Sequence, residues 1–163
     1  MQLTQTRWRG ARMLAATCAS VLALCLALPA LAGATITPGR SVAGVALGDS
    51  AAHVRDVLGK PEAGSNVLNY RYIRSRGIGI YFIAGKVFEI SVVRGPQATR
   101  KGVKIGSTKA ALVSAYPRVK CRPAAVGGGT LECRLAARFR QRATETLFTT
   151  KRDKVVRIAV HFV

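Results

Sequence analysis

Two stretches of this chain lie over each other without a gap, and that self-similarity restricts its architecture more than any other feature. GVALGDSAAHVRDVLGKP begins at Gly44 and GVKIGSTKAALVSAYPRV begins at Gly102. Gly44 falls on Gly102, Val45 on Val103, Leu47 on Ile105, Gly48 on Gly106, Ser50 on Thr108, Val54 on Leu112 and Leu58 on Tyr116. Downstream, KVFEISV from Lys86 aligns with KVVRIAV from Lys154. The offset is larger at this second match, and the extra residues fall in the segment that holds Cys121 and Cys133. The second half is therefore expected to carry an insertion.

Each half reads as the same series of elements. Gly48 or Gly106 makes a turn, and Ser50 or Thr108 caps a short helix by accepting an orphan backbone N–H. Val54, Val57 and Leu58, like Leu112, Ala115 and Tyr116, give one apolar helical stripe; Gly59 with Pro61, and Pro117, end the helices. Strand-like segments follow at Val67 to Arg74, Gly77 to Ile83 and Lys86 to Val93, and again around Leu131 to Leu135 and Ala137 to Phe148. Phe88, Ile90 and Val92, matched by Val156, Ile158, Val160 and Phe162, are expected to face the core, with Glu89, Ser91, Arg157 and His161 on a wetter face. The fold class expected is α+β: two tandem repeats, each a short helix followed by an antiparallel β-meander, packed as one helix-on-sheet unit. Half of this chain buries too little apolar surface to stand alone, so residues 44–95 and 102–163 are read as two repeats joined through 96–101 into one body.

The N-terminus has the order of a secretory signal: Arg7, Arg9 and Arg12 without an acid, then an apolar run from Met13 to Ala32. Ala30 and Ala32 place cleavage before Gly33, so residues 1–32 are read as a signal peptide and 33–43 as a flexible lead. A membrane anchor competes, given the length of the run, but Pro29 and the alanines favour processing. A lipid anchor on Cys18 or Cys25 fits poorly, because Thr17 and Leu24 precede them. Without the leader, Cys121 and Cys133 are the two cysteines left in a chain outside the reducing cytoplasm and are expected to pair. Gly127, Gly128 and Gly129 let the intervening chain reverse. The competing metal or reactive-thiol reading has only Glu132 nearby. The expected location is secreted or periplasmic.

Charge limits the partners. The leader holds three of the 26 Lys and Arg and none of the seven acids, which leaves a formal +16. Such a surface suits an acidic protein, an anionic envelope polymer or a phospholipid headgroup, with nucleic acid a less natural partner; a monomer is expected. Genome composition and solubility account for the same excess of arginine equally well. Arg138, Arg140 and Arg142 stand at every second residue, so on one strand they project from one face as a cationic ridge. Arg134 shares their parity, and Arg71, Arg157 and His161 are the remaining candidates for that binding face. Arginine suits multidentate contact with carboxylate or phosphate.

Catalytic signals are sparse. His53 sits among Val54, Arg55 and Asp56 in a short helix, and His161 lies in the last strand; both read as surface residues. The acids Asp49, Asp56, Glu62, Glu89, Glu132, Glu145 and Asp153 are dispersed, with no close pair suited to glycoside chemistry. Gly77-Ile78-Gly79 and Gly127-Gly128-Gly129 lack the helix start and lysine of a phosphate cradle, and no metal-ligand spacing is present. The reading is a binding protein with no enzymatic activity, no cofactor and no metal; the alternatives are an envelope structural protein that binds anionic lipid or wall polymer non-specifically, and a hydrolase with a site around His161 or His53.

The residues Gly44, Leu47, Gly48, Ser50, Val54, Leu58, Gly59, Pro61, Gly85, Lys86, Val87 and Ile90 carry a resemblance, as do Gly102, Ile105, Gly106, Thr108, Leu112, Tyr116, Lys154, Val155 and Ile158. Their pattern resembles the superfamily of the SmpA/OmlA/BamE outer-membrane lipoproteins and the tandem-repeat β-lactamase inhibitory proteins. That resemblance implies a paired α+β fold and a role in binding other proteins. Its residues are turns, caps and core positions, so it bears on fold more directly than on function.

Overall fold

The computed structural model describes residues 35–125 and 128–163. The signal-peptide reading of 1–32, and Gly127 within the glycine run, lie outside the described residues. Three two-residue strands, β1 (Ile36–Thr37), β2 (Ser41–Val42) and β3 (Val45–Ala46), form a small antiparallel sheet. Helix α1 (Ala51–Leu58) follows, then β4 (Asn69–Tyr72), a single helical turn α2 (Ile73–Arg76), β5 (Ile78–Ile83) and β6 (Lys86–Val92). Helix α3 (Lys109–Ala115) leads into β7 (Lys120–Pro123), β8 (Thr130–Phe139), β9 (Arg142–Lys151) and β10 (Lys154–Phe162). Strands β4 to β10 make one antiparallel sheet in the order β4-β5-β6-β10-β9-β8-β7.

This corrects the expected α+β class. Among the described residues the chain is mostly β, 49% strand and 15% helix, and the three short helices found there do not build a repeated helix-on-sheet layout. Two physical differences account for it. The second half has β8 and β9 of ten residues each, where the first has strands of four and six. The first half instead spends residues on the turn α2. Residues 36–42, expected as a flexible lead, form β1 and β2, with Ile36 and Val42 buried. The joining segment 96–101 is also built in: Gln97 and Thr99 are buried, Ile36 N–H donates to Ala98 O, and Thr99 N–H donates to Val103 O.

Local geometry at the aligned positions nevertheless matches closely. Gly48 and Gly106 have φ of 84° and 87°, a left-handed conformation that favours glycine. Their N–H groups donate to Val87 O and Val155 O, each at 2.8 Å. The Ser50 hydroxyl accepts from His53 N–H at 3.2 Å, and the Thr108 hydroxyl from Ala111 N–H at 3.0 Å, so each helix starts on a cap. Val87 and Val155 also donate back, to Asp49 O and Ser107 O.

Those turns alter the strands they touch. Tyr81 pairs with Glu89 but Phe82 with Val87, and Thr149 pairs with Arg157 but Thr150 with Val155. One extra residue, Phe88 or Val156, is thus bulged out of each ladder. Val87 and Val155 take the core positions expected of Phe88 and Val156; Phe88 is half-buried and Val156 is 40% exposed. Beyond the bulges, Ile90, Val92, Ile158, Val160 and Phe162 face inward. They meet Val54 and Leu58 of α1, Leu112 of α3 and Ile36, Val42 and Val45 of the small sheet in one core.

The sheet edges differ. Along β4, Arg71 N–H donates to the Ser65 hydroxyl and Glu62 N–H donates to Arg71 O, while Asn66 and Asn69 exchange backbone bonds. A loop thus occupies the β4 edge. At the other end β7 is four residues long, carries exposed Lys120 and Arg122, and ends at Pro123.

Candidate functional site

The helices and the small sheet contribute their buried residues to one side of the seven-stranded sheet. The opposite face carries the alternate residues, and its register can be read straight across. Arg71 pairs with Gly79, Gly79 with Ser91, Ser91 with Ala159, Ala159 with Leu147, Leu147 with Arg134, and Arg134 with Lys120. One transverse row therefore crosses every strand, cationic at both ends and small or apolar in the middle. Ala159 is fully shielded by these neighbours. A parallel row runs Asn69, Tyr81, Glu89, His161, Glu145, Ala136.

Two grooves open on this face. One, of about 330 Å³, lies between Arg71, Ile73, Gly79, Tyr81, Glu89 and Arg157. A Cβ on Gly79 would meet the Ser91 hydroxyl at 3.0 Å, so glycine keeps this floor low. The other, of about 520 Å³, is lined by Arg118, Lys120, Arg122, Arg134, Glu132 and Glu145 among others.

Acids are interleaved with the cations. Arg134 bonds Glu132 at 2.7 Å and Glu145 at 3.3 Å; the Glu132 hydrogen bond first, and Glu145 at longer range, hold the guanidinium pKa above its ordinary value. His161 Nε2 lies 3.8 Å from Glu145 Oε1, with the imidazole 18% exposed. Its Nδ1 is buried without a hydrogen-bond partner among the described residues. Arg157 pairs with Glu89. The face is thus a fixed mosaic, in which two of its arginines are held in place by carboxylates.

Of the residues expected to form the binding face, Arg71, Arg134, Arg138, Arg157 and His161 are brought to it. Arg140 and Arg142 are not. The chain turns back at Arg140 and Gln141, with φ of 50° and 62°, so Arg138, Arg140 and Arg142 never share one strand. Arg142 pairs with Phe139 across the hairpin, on the side of Phe139 and Phe162, and its guanidinium lies 3.9 Å from the Phe162 ring centroid. Arg140 sits in the turn, 5.0 Å from the Phe139 centroid and 3.8 Å from Asp49 Oδ1. The ridge along one strand is replaced by a row across seven.

The sequence reading missed Lys120 and Arg122. A signal was present: pairing Cys121 with Cys133 sets them opposite one another, which puts Lys120 against Arg134 and Arg122 against Glu132. The disulfide joins β7 to β8 at a Cα separation of 3.9 Å. Among the described residues no group of three His, Cys, Asp or Glu is placed to hold a metal ion, and no helix is long and apolar enough to cross a membrane. His53 Nε2 stands 3.6 Å from Asp49 Oδ2 on an exposed helix face. Among the described residues, no hydroxyl or thiol hydrogen-bonds either imidazole.

Fold and face together describe a class in physical terms: a mostly-β chain whose broad antiparallel sheet is covered on one side and patterned with charge on the other. Comparison with known family models, curated proteins and solved structures finds no match. No family or superfamily is thereby supported for the chain.

Proposed function

We propose that this protein is an exported binding protein that engages an acidic protein or anionic envelope component through the uncovered face of its seven-stranded sheet, without catalysing a reaction. The observation that carries this reading is the transverse row from Arg71 to Lys120, with small residues between cationic ends. Gly79, Ser91 and Ala159 keep the middle low enough for a partner's side chains to approach. Arg71, Arg138, Lys120 and Arg122 supply charge that no carboxylate within 4.0 Å neutralises among the described residues. Arg134 and Arg157, already positioned by acids, present their remaining donors in fixed directions. Export is supported by the leader and by the cysteine pair.

Photo-crosslinking from a benzoylphenylalanine placed at Leu147, with a control at Val113 on α3, tests the reading in an envelope extract. Adducts formed from Leu147 and lost in an Arg134→Ala/Arg138→Ala variant are the expected result. Equal adducts from both positions would overturn it. Retention on anionic vesicles that disappears at high salt, with no adduct at Leu147, would instead identify non-specific binding to lipid or wall polymer, since exposed charges are screened over about 8 Å at physiological ionic strength.

A further inference from the structure

The arginines that leave the open face gather elsewhere. At the far end of the β8–β9 hairpin, Arg40 from the β1–β2 turn lies 5.3 Å from the Phe139 centroid, and Arg140 lies 5.0 Å from the same ring. Arg142, the register partner of Phe139, covers Phe162 at 3.9 Å. Two guanidinium groups thus lie by the Phe139 ring, and a third, from the residue paired with Phe139, lies over Phe162.

Stacking engages the face of a guanidinium and leaves its five in-plane N–H donors free. Among the described residues, neither Arg40 nor Arg142 donates a side-chain hydrogen bond to the protein, and the contact of Arg140 with Asp49 at 3.8 Å is longer than a hydrogen bond. Asp49 is also committed elsewhere: its Oδ2 accepts from Ala46 N–H at 2.8 Å and faces His53 at 3.6 Å. Three cations against this one carboxylate leave the corner two charges positive, which complements a phosphate group of about −1.5 to −2.

A second observation lies beneath these arginines. Thr144 sits on the same side of β9 two residues from Arg142, pairs with Phe162 and Ala137, and is 1% exposed. Its hydroxyl has no hydrogen-bond partner among the described residues. The left-handed Gly39, next to Arg40, packs onto it: a Cβ there would meet Thr144 Oγ1 at 2.9 Å and Ala137 Cβ at 2.4 Å. Gly39 N–H is fixed by Thr146 Oγ1 at 2.7 Å, so the backbone that presents Arg40 is anchored to β9. The arginines are carried by a turn and a strand start whose positions the core determines.

We propose that Arg40, Arg140 and Arg142 form a binding site for a dianionic phosphate group, separate from the open sheet face. Contact with Phe139 and Phe162 restricts where the three guanidinium groups lie, and a multidentate oxyanion supplies acceptors for their donors. A free phosphate ion and a phosphomonoester share this chemistry.

The test is titration of 15N-labelled full chain with inorganic phosphate, and separately with glucose 6-phosphate, at constant ionic strength, following the arginine Nε–Hε resonances. Saturable shifts confined to Arg40, Arg140 and Arg142 are expected. Response to both ligands assigns the site to a phosphoryl group in general, and response to inorganic phosphate alone assigns it to the free ion. Arg142→Gln is expected to weaken binding about tenfold, as loss of a charge-assisted contact does, and Arg142→Lys to weaken it less. Lys154→Gln, at the opposite end of β9 and β10 from Arg142, leaves the affinity unchanged. If Arg140→Gln unfolds the hairpin, Arg142→Gln carries the same readout from a residue outside the turn. Absence of saturable shifts, or equal shifts at Arg71 and Arg138, overturns the proposal; neither result bears on the open face.

Discussion

Reducing the Cys121–Cys133 bridge is the perturbation whose size can be worked most directly. The two cysteines are 12 residues apart, and closing a loop of that length removes denatured-chain entropy worth about 3 kcal/mol. For a domain of this size that corresponds to a fall in Tm of roughly 10 °C. The structure also locates the loss. Among the described residues β7 pairs only with β8, so the bridge anchors an edge strand through Cys133, which is fully buried. Reduction should release β7 before the rest of the sheet opens, carrying Lys120 away from Arg134 and Arg122 away from Glu132. Denaturant melts of oxidised and reduced protein give the global term, and hydrogen exchange gives the local one. Amides of β7 should lose nearly all protection, while those of β5, β6 and β10 fall only with global stability. An unchanged melting midpoint, or β7 equally protected in both states, would refute the reasoning.

Other perturbations separate the forces at work. Gly106→Ala is expected to cost about 1–2 kcal/mol in a denaturant melt, from backbone conformation alone, because nothing lies within 4 Å of the added Cβ; Gly48→Ala should cost about the same, since its nearest neighbour, Arg140 Nη1 at 3.1 Å, ends a flexible exposed side chain that can move aside. Leu112→Ala, at a fully buried site, should lose about 2–5 kcal/mol by the same measurement. Glu62 accepts from Ser75 N–H, Arg74 N–H and the Ser75 hydroxyl, and the Ser75 backbone bond leads in lowering its pKa below 4.5. Its contribution is therefore complete above pH 4.5 and is lost as pH falls through the depressed value; carbon-detected NMR titration should find it below 4.5, and Glu62→Gln should remove that acid step from the pH profile of Tm.

The parts legible in the sequence are those fixed by short-range chemistry. Ser50 and Thr108 cap helices because their hydroxyls reach an N–H three residues on, and Gly48 and Gly106 turn because φ near 85° is inexpensive only for glycine. Cysteine pairing was legible for the same reason, as only two remained once the leader was set aside. What was not legible depends on long-range pairing. The bulges at Phe88 and Val156 arise because Val87 and Val155 bond to turns dozens of residues away, which reverses the inward and outward pattern at one point in each strand. Arg140 and Gln141 occupy a hairpin turn usually marked by Asn-Gly, so nothing in their identity interrupts the apparent strand, and an even spacing of arginines was read as one face. The transverse row from Arg71 to Lys120 is invisible in a linear reading, since its members come from seven separate strands.

The two sheet ends bear on whether a strand of another molecule can add to the sheet. On one side the segment 62–66 already takes up the hydrogen-bonding groups that another molecule's strand would need. On the other, the terminal strand is brief and like-charged, and Pro123 has no proton to donate. Growth of the sheet from molecule to molecule is thus blocked at one border and discouraged at the other. Contacts made at these borders fall to side chains rather than to the backbone.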